Sequence, residues 1–306
     1  MRACWIALVA AAVASAKWAA GADAPVFGRN SQVEYQAGEL PIVICAPHGG
    51  RERPDEIPDR TQGVLTMDTN TQELARAVAA EFAARTGRRP HLIICRLHRK
   101  KLDCNRELGE AAAGNAFAEQ AWREYHGFVE QARAAVVAKH GRGFFIDLHG
   151  HAHKEQRLEL GYLLDAKQLA LTNEDMRAAN LGAKSSLRRL LEERTEKFPE
   201  LLRGARSFGA LLESEGFLCS PSPTKPSPEA PFFRGGYSVL RHAAEAEQFA
   251  GLQIETHFKG VRDTAASRAQ FATALVKVTA TFLAERWKLN LPVATEKSDG
   301  RGDNGK

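Results

Sequence analysis

Three observations predict an α/β fold of three layers (α/β/α), in which helices cover both faces of a mixed sheet. Apolar runs of strand length alternate along the chain with longer stretches whose apolar residues recur at helical spacing. This alternation continues almost to the end of the chain, which is typical of βαβ units. Polar side chains able to do chemistry follow four of the apolar runs, where such sheets bind ligands.

Each element is predicted from its own local pattern. Residues 69–85 form a helix because Leu74, Val78 and Phe82 recur at helical spacing, and Asp68 stands at the N-cap position. The other predicted helices cover 117–139, 173–197, 207–215 and 264–287, and the strands cover 41–45, 91–95, 144–148, 157–164 and 251–256. Residues 25–40 are predicted to be irregular. Five prolines predict a loop over 219–231, which is a candidate lid or specificity segment.

Composition places the chain among ordinary globular proteins. It has 306 residues, of which 44% are hydrophobic and 26% charged. The formal net charge is +5, but the basic residues are scattered, so we expect no nucleic-acid partner. Arginines near the proposed site would instead favour an anionic substrate. We predict one catalytic domain over 25–290 and a polar, disordered tail over 291–306.

The amino-terminal residues 1–24 read as a signal peptide. A short basic start, Met1 and Arg2, precedes an Ala-rich apolar run over 4–16, and small residues at candidate cleavage points follow. The apolar run is too short to span a bilayer. We therefore predict a secreted or periplasmic protein that has no membrane contact after cleavage.

Two histidines are candidate metal ligands because each follows a predicted strand. His48 precedes two glycines, and His149 begins a stretch rich in imidazole. A catalytic zinc needs a third protein ligand, and both Glu52 and Asp68 are candidates. We favour Asp68, since a helix N-terminus fixes its backbone, whereas Glu52 lies in a loop rich in Pro and charge. No C-x-x-C pair is present, so a thiolate site is not expected.

Other polar groups follow the second and the last predicted strands. Arg96, Arg99, Asn105 and Arg106 cluster after residue 95, and arginine forks bind carboxylates and stabilise oxyanions. Glu255 follows the last strand, where a carboxylate beside a metal can act as a general base. These groups predict hydrolytic chemistry at one rim of the sheet.

The ordered set of motifs resembles the N-formylglutamate amidohydrolase family, which is itself similar to the zinc carboxypeptidase and aspartoacylase group. The matching segments are 47–50, 68–75, 99–106, 147–151, 235–237 and 253–255. The resemblance implies a phosphorylase/hydrolase-like fold and one catalytic Zn²⁺ per chain.

The resemblance also implies roles for individual residues. His48 and His149 would bind zinc together with Asp68 or Glu52. Arg99 would stand at the oxyanion, and Glu255 would be the general base. The implied substrate contacts come from Asn105 and Arg106, which would hold a carboxylate, and from Tyr237, which would line the pocket. Arg96, from the cluster after the second strand, is a further candidate for substrate binding.

Three functional hypotheses follow. The first is a zinc-dependent hydrolase of a carbon–nitrogen amide bond, acting on an N-acyl amino acid or a similar carboxylate-bearing substrate. The second is a secreted metallocarboxypeptidase or peptidoglycan amidase, whose peptide substrate would need an open groove. The third is a non-catalytic binding protein on a hydrolase scaffold, which would have no need of both a base and an oxyanion group.

Overall fold

An eight-stranded mixed sheet forms the centre of the protein, with strand order β1-β2-β4-β3-β5-β8-β6-β7. The computed structural model describes residues 24–192, 197–229 and 231–293, so the predicted signal peptide and tail lie almost wholly outside it. The strands are β1 (Val26–Phe27), β2 (Val33–Gln36), β3 (Ile42–Ala46), β4 (His91–Cys95), β5 (Gly143–Gly150), β6 (Leu158–Gly161), β7 (Cys219–Ser220) and β8 (Phe249–Thr256).

Four parallel strands, β4, β3, β5 and β8, make up the middle of the sheet. Every residue of β3, β4 and β8 is buried, as expected for strands that are covered on both faces. On one side β2 is antiparallel to β4, and on the other side β6 is antiparallel to β8. The carboxyl ends of the four parallel strands therefore meet at one edge.

Helices cover both faces of the sheet, which confirms the predicted three-layer α/β/α fold. The helices of eight residues or more are α1 (Thr71–Thr86), α3 (Ala116–His140) and α11 (Ala265–Trp287). The shorter α-helices are α2 (Leu108–Ala112), α4 (Ala166–Leu169), α5 (Asn173–Ala178), α6 (Leu181–Lys184), α7 (Arg188–Glu192), α8 (Phe198–Arg203), α9 (Phe208–Ser214) and α10 (Tyr237–Val239). One apolar cluster joins α1 and α11 to the sheet, and a second joins α3 to the opposite face. None of the described helices is both long and apolar enough to cross a membrane.

The structure differs from the prediction over residues 25–40 and 173–197. Residues 25–40 are not irregular, because Val33 and Tyr35 are buried and β2 pairs with β4. The helix predicted over 173–197 is broken, since Asn180 has a left-handed backbone (φ 50°) and Ser185 is extended. Residues 193–196 of that prediction lie outside the described chain.

The start of α1 also differs from the prediction. Its N-cap residue is Asn70, with φ of 66°, and not Asp68. The carbonyl oxygen of Asp68 accepts hydrogen bonds from the Thr71 amide and hydroxyl, which forms a turn before the helix. The Asp68 side chain is thereby released from capping and turns toward the edge of the sheet.

Candidate active site

Two histidines and one aspartate meet at the carboxyl edge of the parallel strands. His48 follows β3, His149 lies in β5, and Asp68 lies in the turn before α1. Oδ2 of Asp68 is 3.4 Å from Nδ1 of His48 and 3.3 Å from Nδ1 of His149. All three side chains are buried, and their ligand atoms lie within 4.8 Å of one another. Two imidazole nitrogens and one carboxylate oxygen are therefore close enough to bind a single metal ion.

The second nitrogen of each imidazole is held by a carboxylate. Nε2 of His48 is 2.6 Å from Oδ1 of Asp103, and Nε2 of His149 is 2.9 Å from Oδ2 of Asp147. Metal-binding imidazoles usually donate their other ring N–H to a carboxylate in this way. Nδ1 of His48 is buried without a hydrogen-bond partner among the described residues. The residues therefore fit a divalent metal, and the donor types suit zinc as well as manganese or cobalt.

The charges of the cluster are strongly coupled. Burial raises the pKa of Asp68, but its contacts with His149 and His48 outweigh burial and hold that pKa well below its usual range. Burial lowers the pKa of His149, but Asp147 and Asp68 together raise it well above its usual value. The buried carboxylates around His149 thus favour its protonated form. A bound cation would displace that proton, because metal ligands must be deprotonated.

Backbone contacts fix the position of Asp68. Its Oδ2 accepts a hydrogen bond of 3.0 Å from the Gly150 amide, and its own amide donates to the carbonyl of His48 at 3.0 Å. A side chain at Gly150 would not fit, since a Cβ there would come within 2.3 Å of the Arg262 guanidinium. That guanidinium donates to backbone carbonyls on three sides of the site, so the edge is braced by a residue that the sequence analysis did not single out.

A chain of hydrogen bonds orients Glu255 on β8. Its Oε1 accepts from Nε2 of Gln253 at 2.8 Å, and Gln253 in turn accepts from Nδ2 of Asn105 at 3.3 Å. Oδ1 of Asn105 accepts from the Ser238 amide at 2.8 Å. Oε2 of Glu255 is buried and has no hydrogen-bond partner among the described residues. One carboxylate oxygen is thus fixed while the other is free.

Glu255 lies close to the histidine–aspartate cluster. Its Oε1 is 3.9 Å from Nδ1 of His149. Burial raises the pKa of Glu255 to about 8. A carboxyl whose pKa lies near the working pH is suited to accept and return a proton.

Arg99 contacts the cluster and lines the pocket beside it. Its Nε donates to Oδ2 of Asp103 at 3.0 Å, and its Nη1 lies 3.4 Å from Oδ1 of Asp68. These two carboxylates hold the guanidinium at the wall of a pocket that Glu255 and His149 also line. A fixed cation is therefore present where negative charge could develop during a reaction.

The pocket has a volume of about 250 Å³. One wall is formed by residues 232–236, here called the strap, which follows the proline-rich loop. Two larger hollows, one beside Arg76 and one beside Arg188, share no lining residue with it.

Three residues predicted for the site lie elsewhere. Glu52 pairs with Arg96, with Oε1 and Nη2 2.7 Å apart, and neither residue reaches the cluster or the pocket. The Tyr237 hydroxyl accepts from Nη1 of Arg241 at 3.0 Å, and its ring packs on Trp122. The structure thus brings Asp68, and not Glu52, to the two histidines.

Arg106 lines the pocket, but its guanidinium is already engaged. Its Nε donates to Glu110 at 3.0 Å, and its Nη1 donates to the carbonyl of Asn105 at 2.8 Å. Both predicted carboxylate-binding residues therefore have protein partners.

Asp103 and Gln253 contribute to the site, although neither was predicted from the sequence to do so. A signal was available for Gln253, since it stands two residues before Glu255 and side chains at that spacing share one face of a strand. The same spacing relates Asp147 to His149. For Asp103, the only sequence signal was its position four residues after Arg99, which is consistent with the ion pair between these two side chains.

A second group of possible ligands, His151, His153 and Glu159, lies beside the strap. Nδ1 of His153 is 2.6 Å from Oε1 of Glu159, and Nε2 of His151 is 2.8 Å from the Arg157 carbonyl. Oε2 of Glu159 accepts from the Phe233 amide at 2.8 Å, and the Phe233 ring stacks on His153. These contacts anchor the strap to β6.

Comparison with known proteins supports the fold. No family model and no curated protein matches the sequence. The N-formylglutamate amidohydrolase structure from Ralstonia eutropha aligns with a TM-score of 0.51 and 14% identity, covering 84% of this chain and 99% of its own. A gene product of Agrobacterium tumefaciens aligns with a TM-score of 0.52 and 15% identity, covering 83% of this chain and 95% of its own. The resemblance that the motifs predict is thus confirmed for the fold: over most of its length this chain has the fold of an N-formylglutamate amidohydrolase structure.

Proposed function

We propose that this protein is a zinc-dependent hydrolase of carbon–nitrogen amide bonds, acting on an N-acyl amino acid or a similar small substrate that carries a carboxylate. The observation that carries the proposal is the convergence of three buried metal-ligand atoms beside a buried glutamate whose Oε2 is free. Amidohydrolase activity in a protein of similar fold supports it as well. The signal peptide predicted over 1–24 supports the further proposal that the protein acts outside the cytoplasm.

His48, Asp68 and His149 would hold one zinc ion. The second ring nitrogens of His48 and His149 are held by Asp103 and Asp147. Oδ2 of Asp68 accepts from the Gly150 amide, so the three ligand groups are oriented before a metal binds. When bound, zinc supplies a Lewis acid that polarises a carbonyl and lowers the pKa of water.

Glu255 acts as the general base and then as the proton donor. Its free Oε2 takes a proton from the attacking water, and Gln253 keeps the carboxylate in place through Oε1. The same carboxyl returns the proton to the leaving amine. A cation in the neighbouring cluster would lower the pKa of Glu255 from about 8, which favours the carboxylate form at neutral pH.

Arg99 stabilises the negative charge that develops on the carbonyl oxygen. Its guanidinium is held by Asp103 and Asp68 and faces the pocket, so little reorganisation is needed during the reaction. A binding protein would gain nothing from a base and an oxyanion group placed together, which weighs against the non-catalytic alternative.

The size of the pocket favours a small substrate. A volume of about 250 Å³, closed on one side by the strap, suits an acylated amino acid. A metallocarboxypeptidase or peptidoglycan amidase would need an open groove for a peptide. Three arginines and one glutamate line the pocket, which favours an anionic ligand.

Metal content tests the ligand assignment. We expect about one zinc per chain by elemental analysis of the mature protein, and loss of that zinc in His149→Ala. The matched control is Glu52→Gln, which should keep its zinc because Glu52 pairs with Arg96 away from the cluster. Zinc lost from Glu52→Gln, or retained in His149→Ala, would contradict the assignment.

Turnover tests the role of Glu255. Glu255→Gln should retain zinc but hydrolyse N-acyl amino acids at least about 100-fold more slowly, because the proton acceptor is gone. Full activity in this variant would overturn the mechanism. Equal hydrolysis of short peptides and N-acyl amino acids by the unmodified protein would instead favour the peptidase alternative.

A further inference from the structure

Arg234 differs from the other two arginines of the pocket. The guanidinium groups of Arg99 and Arg106 are both held by protein oxygens. Arg234 also lines the pocket and is exposed, and its side chain makes no hydrogen bond or ion pair with any residue in the described parts of the chain. Its five N–H donors are thus available to a ligand.

The backbone that carries Arg234 is fixed on both sides. The Leu163 amide donates to the carbonyl of Arg234 at 2.6 Å, and the preceding Phe233 amide donates to Glu159 at 2.8 Å. After Arg234, the chain passes close to Asn105: a Cβ at Gly236 would lie 2.2 Å from the side-chain nitrogen Nδ2 of Asn105. The Arg234 side chain therefore has no protein partner among the described residues, whereas its backbone position is fixed.

This combination is what a preorganised anion-binding residue requires. A fixed backbone limits the ordering cost to the side chain itself. Guanidinium groups bind carboxylates through two parallel hydrogen bonds, which gives both charge and direction. Arg99 and Glu255 line the same pocket as Arg234, so a ligand bound there can contact both the reacting groups and the strap.

We infer that Arg234 binds the carboxylate of the substrate and that the strap sets the selectivity of the pocket for anionic ligands. The inference rests on the proposed function for the reaction and for the class of substrate. Arg106, which the motif resemblance suggests for this role, keeps its contacts with Glu110 and Asn105 and supports the wall of the pocket.

Calorimetric binding tests the inference separately from turnover. The zinc-loaded Glu255→Gln protein serves as the background, because it keeps the ligand intact. The probes are N-formyl-L-glutamate and its diamide, which has the same shape without the carboxylates. The variants added to this background are Arg234→Gln, Arg234→Lys and, as the matched control within the pocket, Arg106→Gln.

Arg234→Gln should weaken binding of N-formyl-L-glutamate by about tenfold or more, the usual effect of losing a charged hydrogen bond. Binding of the diamide should change less than about twofold, since no charge is lost from that complex. Arg234→Lys should recover part of the affinity, because it restores charge but not the fork. The control Arg106→Gln should change the affinities for N-formyl-L-glutamate and for its diamide by the same factor.

Other outcomes would overturn the inference. Equal weakening of both probes by Arg234→Gln, a carboxylate-specific loss in Arg106→Gln alone, or no binding of N-formyl-L-glutamate would each do so. If the unmodified enzyme hydrolyses no N-acyl amino acid while Arg234 still discriminates between the two probes, the proposed function fails and the carboxylate site stands.

Discussion

Replacing Asp103 with asparagine should weaken both the metal site and the fold, whereas replacing Asp147 should weaken mainly the metal site. Each carboxylate lies behind one histidine of the cluster. Asp103 also accepts hydrogen bonds of 3.0 Å from the Asn105 amide and from Nε of Arg99. Oδ1 of Asp147, in contrast, is buried with no hydrogen-bond partner among the described residues.

The magnitudes follow from these contacts. An asparagine at 103 places an N–H group against other donors and removes the charge that faces Arg99, and breaking a buried ion pair costs about 3–5 kcal/mol. Because Arg99 keeps its contact with Asp68, we expect a loss near the lower limit, about 3 kcal/mol. At 147 the new amide can occupy the position of the unpartnered Oδ1. His149, unlike Arg99, can release its proton when the facing charge is removed, so we expect a smaller loss of about 1 kcal/mol. Zinc affinity should fall by about 10–100-fold in both variants.

Urea unfolding in the presence of a chelator measures the first effect, and competition with a chromophoric chelator measures the second. The metal-free measurement separates fold stability from zinc affinity. Equal losses of unfolding free energy in the two variants would refute the reasoning about Asp103. Wild-type zinc affinity in both would refute the orienting role of the carboxylates.

Two further predictions concern stability alone. Gly50→Ala should lower the unfolding free energy by about 3 kcal/mol or more, because a Cβ would lie 2.2 Å from the Leu97 carbonyl oxygen. Gly127→Ala should raise the unfolding free energy by about 0.5–1 kcal/mol, because Gly127 lies in the middle of α3 and a Cβ there would meet no atom within 4 Å. Thermal unfolding of the pair checks both signs. Burial lowers the pKa of His126 to about 3. The native state therefore binds fewer protons than the unfolded state, and stability should fall as the pH drops from 6.5 toward 3, with about 2 kcal/mol lost at pH 5 from this residue. Urea titrations at pH 7 and 5 should show a smaller loss in His126→Asn.

The sequence contained enough information to predict the sheet and the place of its chemistry. Strand β3 is apolar throughout, β4 is apolar after His91, and β5 and β8 each begin with four apolar residues, so the burial of these strands could be predicted directly. The parallel arrangement then brings His149 and Glu255 to neighbouring strands, where they face each other in register. Local pattern and global fold agree at these positions.

The contacts that select among similar residues could not be predicted. Glu52 and Asp68 are both acidic and both follow His48, but an ion pair with Arg96 draws Glu52 away. That pair depends on an isolated bridge between Glu52 and Leu97, which only the folded chain creates. The left-handed Asn70 likewise decides that Asp68 faces the cluster and does not cap α1. Long-range pairing of this kind leaves no periodic trace in a sequence.

The position of β8 has a consequence for the order in which the protein matures. Among the described residues this strand is the last in chain order, but it lies between β5 and β6 in the sheet. During synthesis, β5 therefore keeps an open edge until β8 is inserted, and open edges can pair with other chains. His48, Asp68 and His149 all precede this step, whereas Glu255 arrives with it. In the proposed hydrolase, the metal ligands are therefore synthesised before the base, and hydrolytic activity requires the finished sheet.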